Sequence, residues 1–267
     1  MKYLITNADD YGYRSDISQA IVDSHKNGYL TSTTVLINFV SSEDIQLAKS
    51  SSSLGFGLHL NLTSGEPLTE NWKRKYGSFS RPFRNESKQF NREVWLPFFE
   101  KYSTEDVHEE YEAQLKKFEE LFGFPPTHID SHHYSSSYQS TFPAYIELAK
   151  KYNLPVRRPK IWDLAKNQHL MGNITQIPEL ESILATEKIK TTNFFSVKYL
   201  NRYEDYLVEL EKELDQVKDG ESIEVSFHPG YEEEWRKKDL MIIKDSRVKQ
   251  LLDKKDFKII KFSDLED

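Results

Sequence analysis

The sequence predicts a single α/β domain built on parallel strands, either a barrel or an incomplete version of one, with an open doubly wound sheet as the alternative. Apolar runs of strand length alternate with amphipathic helical stretches along all 267 residues, which is the pattern of repeated β/α units. No linker, internal repeat or low-complexity tract interrupts the alternation, so 1–267 reads as one domain. Polar signatures also stand where the apolar runs end: Asn7-Ala8-Asp9-Asp10, Gly57-Leu58-His59-Leu60-Asn61-Leu62, His128-Ile129-Asp130-Ser131-His132-His133, and His228-Pro229-Gly230 after Ile223–Phe227. Parallel α/β folds place their chemistry at the carboxyl ends of strands.

Each element has a local reason. Lys2–Thr6 is the first strand, Asn7–Asp16 a polar turn, and Ile17–Lys26 a helix stopped by Asn27-Gly28. Thr33–Phe39 is a β-branched, apolar second strand, and Ser41–Lys49 has the Ser start and apolar spacing of a short helix. Leu54–Leu62 is the third strand, with Gly55 and Gly57 allowing close backbone approach. Residues 65–100 are rich in Trp, Phe, Arg, Lys, Pro and Asn without clear periodicity, and read as a lid or insertion. Ser103–Leu121 is strongly amphipathic, starts on a Ser/Thr-x-x-Glu style cap and ends in Gly123 and Pro125-Pro126. Thr127–Asp130 follows as a strand, Phe142–Tyr152 as a helix and Pro155–Arg158 as a short strand. Glu204–Lys218 is a helix closed by Asp219-Gly220, Asp245–Leu252 another helix and Phe257–Phe262 the final strand.

Composition removes several functions. A formal net charge of −7 opposes a sequence-independent grip on phosphate backbones, so no nucleic-acid partner is expected. The absence of cysteine rules out disulfides and thiolate ligands, leaving any metal to His, Asp and Glu, and fits a reducing compartment. Met1-Lys2 leads straight into a strand, and no apolar run approaches membrane-spanning length. A cytoplasmic protein with no membrane partner is expected. Hydrophobic content is only 37%, but 16 Phe, 15 Tyr and 4 Trp supply the area for a packed core.

Asp9 and Asp10 are neighbours at a strand end, where alternation sends adjacent side chains to opposite faces and so to different duties. One suits ligation of a cation and the other a base acting on water beside it, with a turn or helix cap as the plain alternative. His59 points to one side of the sheet while Leu58 and Leu60 point to the other. His132 and His133 offer a ligand and a neighbour that orients substrate, Asp130 a partner for a ring N–H, and His128 reads as structural. One Asp and two His from three strands leave open positions on a cation, as a catalytic site requires.

These segments carry a resemblance: NADDYG at 7–12, TSTTVLIN at 31–38, GLHLNLTSGEPL at 57–68, PTHIDSHHY at 126–134 and SFHPGY at 226–231. The chain resembles the YdjC-like carbohydrate deacetylase family, which includes chitooligosaccharide deacetylases acting on N-acetylated sugars. The resemblance implies an irregular, TIM-like β/α barrel related to NodB-type deacetylases. It implies a metal-dependent hydrolase that removes N-acetyl groups from an amino sugar or chitooligosaccharide, with phosphorylated substrates of the chitobiose 6-phosphate type in range. By position it implies Asp10, His59 and His132 as metal ligands, Asp9 as the base and His228 as a second catalytic histidine. Arg157 matches an arginine that positions the base, with a surface arginine beside Arg158 as the plain alternative. His133, Asn61 and Tyr134 are the expected substrate contacts. The implied cofactor is one divalent ion, Mg²⁺ by resemblance, with Zn²⁺ suited to two imidazoles. An N-acetylated sugar is the expected partner, and a homodimer stays open.

The chain departs from the family pattern after His133, where Tyr134, Ser135 and Ser136 replace further histidines, so the substrate contacts there differ. In the amide-cleaving reading Asp9 takes a proton from water activated by the cation, and His228 protonates the departing amine. Trp72–Phe99 would close over the sugar, with Lys73, Arg74 or Arg81 meeting a phosphate. Two other classes compete. A phospho-disaccharide glycosidase would use Asp9 and Glu224 across a glycosidic bond and leave the histidines unexplained. A non-catalytic sugar- or metal-binding protein would not need Asp9 beside Asp10.

Overall fold

A computed structural model of the chain describes residues 1–80, 92–158, 162–163, 168–169, 177, 179–197 and 205–265. The first half runs β1 (Lys2–Tyr11), α1 (Ser15–Asn27), β2 (Ser32–Val35), α2 (Ser42–Lys49), β3 (Gly55–Leu60), α3 (Glu70–Tyr76), α4 (Arg92–Glu100), α5 (Thr104–Phe122) and β4 (Ile129–Ser131). The second half runs α6 (Phe142–Tyr152), β5 (Trp162–Asp163), β6 (Gln168–His169), α7 (Leu180–Thr186), β7 (Phe194–Ser196), α8 (Tyr206–Leu214), β8 (Ser222–Phe227), α9 (Glu234–Ile243), α10 (Ser246–Lys254) and β9 (Phe257–Ile260).

β1 organises the sheet because its length lets it serve three parallel partners. Tyr3–Ala8 pair with Ser222–Phe227 of β8, Lys2–Ile5 pair with Phe257–Ile260 of β9, and Asn7, Ala8 and Tyr11 pair with β2. The main path is β4-β3-β2-β1-β8-β7, parallel throughout. Two isolated parallel bridges then carry the sheet around, Ile129 to Val156 and Val156 to Thr191, the latter just ahead of β7. The result is a curled parallel sheet whose ends meet through single bridges, the irregular form of barrel. The strand expected at Pro155–Arg158 contracts to that one bridging residue, held by Val156 N–H to Lys190 O at 2.8 Å and Arg157 N–H to Ile129 O at 3.0 Å.

Helix ends follow their caps. Ser41 and Asp44 close a reciprocal capping box on α2, and Ser103 accepts from Asp106 N–H ahead of α5. Gly123, at φ 78°, ends α5 in the left-handed conformation that glycine adopts without strain. The second strand is shorter than expected, ending at Val35, because the chain turns where Phe39 N–H bonds Leu36 O. The helix expected at Glu204–Lys218 spans Tyr206–Leu214, and Glu204 lies outside the described residues. α9 has no counterpart among the predicted elements. Its buried positions include Arg236 and Asp239 as well as Ile242 and Ile243, and charge on the inner face erases the apolar stripe that marks a helix.

Within 65–100, α3 and α4 flank residues 81–91, which lie outside the described set together with Arg81. Trp72 is buried against Tyr76, Phe79 and Tyr102, and Phe99 stacks on Tyr138 with ring centroids 4.2 Å apart. Lys73 pairs with Glu70 and Arg74 donates to Asn71, both within α3. No described helix is long and apolar enough to cross a membrane.

Candidate active site

Asp9 and Asp10 reach one chamber because β1 is irregular where they stand. Asp10 has φ 73°, and the β1–β2 register slips between Ala8 and Tyr11. Strand alternation therefore does not separate the two carboxylates, contrary to expectation; a left-handed residue turns Asp10 back toward the cluster that Asp9 faces. Gly12, at φ 85°, completes the turn, and a Cβ there would stand 2.5 Å from Val40 Cγ2.

Asp9 is held by donors, three of them on Oδ1 and one on Oδ2. Arg157 gives it two bonds, Nη1 to Oδ2 at 2.8 Å and Nη2 to Oδ1 at 2.7 Å. Oδ1 also accepts from Asn7 Nδ2 at 2.9 Å and Ser226 Oγ at 3.0 Å. Burial pushes its pKa up, but the Arg157 guanidinium outweighs burial and holds the carboxyl well below the usual carboxylate range. Arg157 is itself buried, so the surface reading of this residue is replaced by a central one. Its Nη1 reaches Asp130 Oδ2 at 2.7 Å and its Nε donates to Glu224 Oε1 at 2.8 Å. Glu224 has a second oxygen with no hydrogen-bond partner among the described residues, and burial raises its pKa to about 7 despite Arg157.

Asp10 is held differently. Its Oδ2 accepts from Arg236 Nη2 at 2.6 Å. Its buried Oδ1 has no hydrogen-bond partner among the described residues and lies 3.3 Å from His132 Nδ1 and 3.6 Å from His59 Nε2. On the far side of the ring, His59 Nδ1 lies 2.6 Å from Asp130 Oδ1, and Thr34 Oγ1 donates to Asp130 Oδ2 at 3.0 Å. Donation of Nδ1–H to Asp130 leaves the His59 Nε2 lone pair facing Asp10, the tautomer a ligating histidine needs. Burial disfavours charge on His59, but Asp130 first and then Asp9 and Asp10 overcome it and raise the ring's pKa.

Asp10, His59 and His132, all buried, offer ligand atoms within 4.8 Å of one another. The donor set, two imidazole nitrogens and a carboxylate oxygen with no other partner, fits a divalent cation. Electrostatics favour it as well, since among the described residues the four carboxyl groups of Asp9, Asp10, Asp130 and Glu224 share the two guanidinium groups of Arg157 and Arg236. Asp9, His59 and Asp130 also come within 4.8 Å. Arg157 already bonds both carboxylates of that second group, which makes it the poorer cation site.

His228 follows β8, its Nε2 3.7 Å from Asp9 Oδ2 and its ring 5.7 Å from Trp235. Asp239 accepts its backbone N–H at 2.7 Å. Burial pushes its pKa down to about 4 against the pull of Asp9, so the imidazole is neutral at ordinary pH. His133 and Tyr134 both have left-handed backbones, at φ 54° and 55°. His133 Nδ1 lies 2.8 Å from Thr63 Oγ1, its ring 5.8 Å from Trp95, and Tyr134 packs beside Phe195.

Asn61, expected to touch substrate, serves its own turn instead. Fully buried, it accepts from Thr63 and Ser64 N–H through Oδ1, and donates to Asn38 Oδ1 and Ser64 O through Nδ2. Those bonds occupy its amide. His128 has the structural place expected of it, stacked 3.9 Å from the Phe262 ring with Nε2 3.2 Å from Asn7 Oδ1. Gly57 makes room for it, since a Cβ there would stand 2.4 Å from His128 Cε1. The residue that sequence reasoning missed is Arg236. Its sequence signal is weak, an Arg236 three residues before Asp239, a spacing that puts two charged residues on one helix face.

The family profile for YdjC-like protein matches residues 3–254. A carbohydrate deacetylase of Clostridium beijerinckii is 32% identical over 98% of this chain and 99% of its own length. A chitooligosaccharide deacetylase of Proteus mirabilis is 34% identical over 64% of this chain and 65% of its own. Among solved structures, an Enterococcus faecalis protein given a provisional cellobiose-phosphate cleavage role matches with a TM-score of 0.74 at 25% identity, over 98% of this chain and 97% of that one.

Proposed function

The chain belongs to the YdjC-like family, and on that premise we propose that it is a metal-dependent hydrolase removing N-acetyl groups from an amino sugar or chitooligosaccharide, phosphorylated forms included. One observation carries the reading. Two adjacent aspartates are made chemically different by two arginines: Arg157 takes both oxygens of Asp9, whereas Arg236 takes one oxygen of Asp10 and leaves the other facing two imidazoles.

Asp10, His59 and His132 would hold the cation, which when bound supplies Lewis acidity toward the acetamide carbonyl and toward water. Asp9 stays ionised and is oriented by Arg157, so it accepts a proton at Oδ2, the oxygen that faces His228. A carboxylate of such low basicity serves as a base only toward an acidified water, which is why base and cation site belong together. His228 enters neutral, receives the proton that Asp9 Oδ2, 3.7 Å from its Nε2, has taken from water, and delivers it to the sugar nitrogen as the C–N bond breaks, leaving acetate and the free amine. His133 and Tyr134, raised on two left-handed residues beside Trp95 and Phe195, meet the sugar. The glycosidase reading is disfavoured, because Asp9 and Glu224 grip the same guanidinium and leave no room for a sugar between them.

The test is acetate release from diacetylchitobiose and its 6-phosphate, with cellobiose 6-phosphate as control, each with added Mg²⁺ or Zn²⁺ and with chelator. Metal-dependent acetate release supports the proposal. Cleavage of cellobiose 6-phosphate without acetate release from either acetylated sugar would refute it.

A further inference from the structure

We propose that Arg236 is the positioning residue of the cation site, confining Asp10 to one ligating oxygen and fixing the direction of that oxygen. The inference rests on the reading of Asp10, His59 and His132 as ligands, and goes beyond it by assigning a residue of α9 to the set. Arg236 Nη2 donates to Asp10 Oδ2 at 2.6 Å, a charge-assisted bond that occupies this oxygen. The remaining oxygen is the buried one between His132 Nδ1 and His59 Nε2.

Arg236 has little freedom to swing away. Only 4% exposed, it lies over the Trp235 ring at 4.3 Å, pairs through Nε with Glu233 Oε2 at 3.2 Å, and reaches the His228 carbonyl through Nη1 at 3.4 Å. Glu233 is held in turn by Arg14, whose Nη1 donates to Oε1 at 3.0 Å, and Arg14 Nε donates to Asp16 Oδ1 at 2.8 Å. Asp10 is thus the inner end of an ion-pair chain anchored at α1. Gly230 makes the approach possible, since a Cβ there would stand 2.8 Å from Arg236 Cδ. Asp10 itself occupies a left-handed conformation, and the bond to Arg236 restrains which way its carboxylate turns.

Two effects oppose each other at Arg236. As a positive charge near a cation site it weakens binding, so its removal would tighten the ion if charge alone mattered. As a positioning group it orders the ligand, so its removal loosens the ion. Lysine separates the two, because it keeps the charge and lacks the planar fork. Gly230→Ala separates them independently, displacing Arg236 without altering any charge.

Metal-free full-length protein, wild type and the variants Arg236→Met, Arg236→Lys and Gly230→Ala, is titrated with Co²⁺ and followed by its visible d–d absorption, after circular dichroism confirms folding. The expected result is roughly 10–100-fold weaker binding in all three variants, the usual consequence of losing a group that orients a ligand. Altered band shape in the two Arg236 variants, where Oδ2 is released, is expected as well. Arg236→Met binding as tightly as wild type or more tightly, or Arg236→Lys indistinguishable from wild type in affinity and bands, overturns the inference. A wild type that shows no Co²⁺ bands refutes the cation site itself, an outcome distinct from variants that match a wild type that binds.

Discussion

Arg157 and Asp9 meet through two parallel hydrogen bonds of 2.7 and 2.8 Å, and the same guanidinium lies 2.7 Å from both Asp130 and Glu224. One side chain thereby ties the carboxylate proposed as base to the carboxylate behind the His59 ring. The proposed base and the partner of the proposed ligand are positioned by one rigid planar group, which explains how residues from β1, β3 and β4 keep a common geometry.

Asp9→Asn should retain its metal and lose most of its turnover, because the amide keeps the shape but removes the lone pair that accepts a proton. General base catalysis typically contributes ~10²–10⁴-fold in rate. Elemental analysis beside steady-state kinetics checks both halves. Near-wild-type turnover would make Asp9 a structural residue.

His59→Ala and His132→Ala should lose the ion on elemental analysis. Asp130→Asn should weaken metal binding by about 10–100-fold, since the 2.6 Å contact to His59 Nδ1 is what selects the ligating tautomer. Calorimetric titration with Zn²⁺ measures this, and an unchanged affinity in Asp130→Asn would show that the tautomer is set elsewhere.

Much of the arrangement was legible because it is local. Ser103 and Gly123 bracket α5, and α6 spans Phe142–Tyr152 as predicted, since caps and apolar spacing act within a few residues. Histidines and aspartates at strand ends were legible too, because a polar group closing an apolar run is visible in one dimension. What escaped depends on contacts far apart in sequence. Asp10's left-handed backbone follows from a register slip against β2, and Asn61's commitment to its turn is invisible from its place in the GLHLNL motif. Arg236 lies on a helix whose inner face is charged, so the charge that lets it reach Asp10 also hides the helix from a reading based on apolar stripes.

His228→Ala should bind metal normally and lose activity in proportion to how badly the leaving group needs a proton. The 3.7 Å approach of Nε2 to Asp9 Oδ2 places the ring beside the proposed base, outside the Asp10–His59–His132 group. An activated acetyl ester, whose leaving group departs unprotonated, should therefore retain more of its rate than an acetylated amine. Equal losses on both substrates would assign His228 to stabilising the tetrahedral oxyanion instead.

Glu224→Gln should change the pH dependence of stability. Burial raises the Glu224 carboxyl from 4.5 in the unfolded chain to about 7 in the fold, with Arg157 only partly offsetting it. Between those values the folded protein binds more protons than the unfolded chain, so wild-type stability falls as pH rises through the window. Glutamine cannot ionise, yet its carbonyl oxygen can still accept from Arg157 Nε, so the variant keeps the contact and escapes the fall. At about 1.4 kcal/mol per pH unit the difference amounts to a few kcal/mol at most. Urea unfolding of metal-free wild type and variant, near pH 5 and near pH 8, measures it. The stability difference should move in the variant's favour at the higher pH; a constant difference, or one that moves toward the wild type, would mean that Glu224 is already ionised in the folded protein and that the network carries its full negative charge.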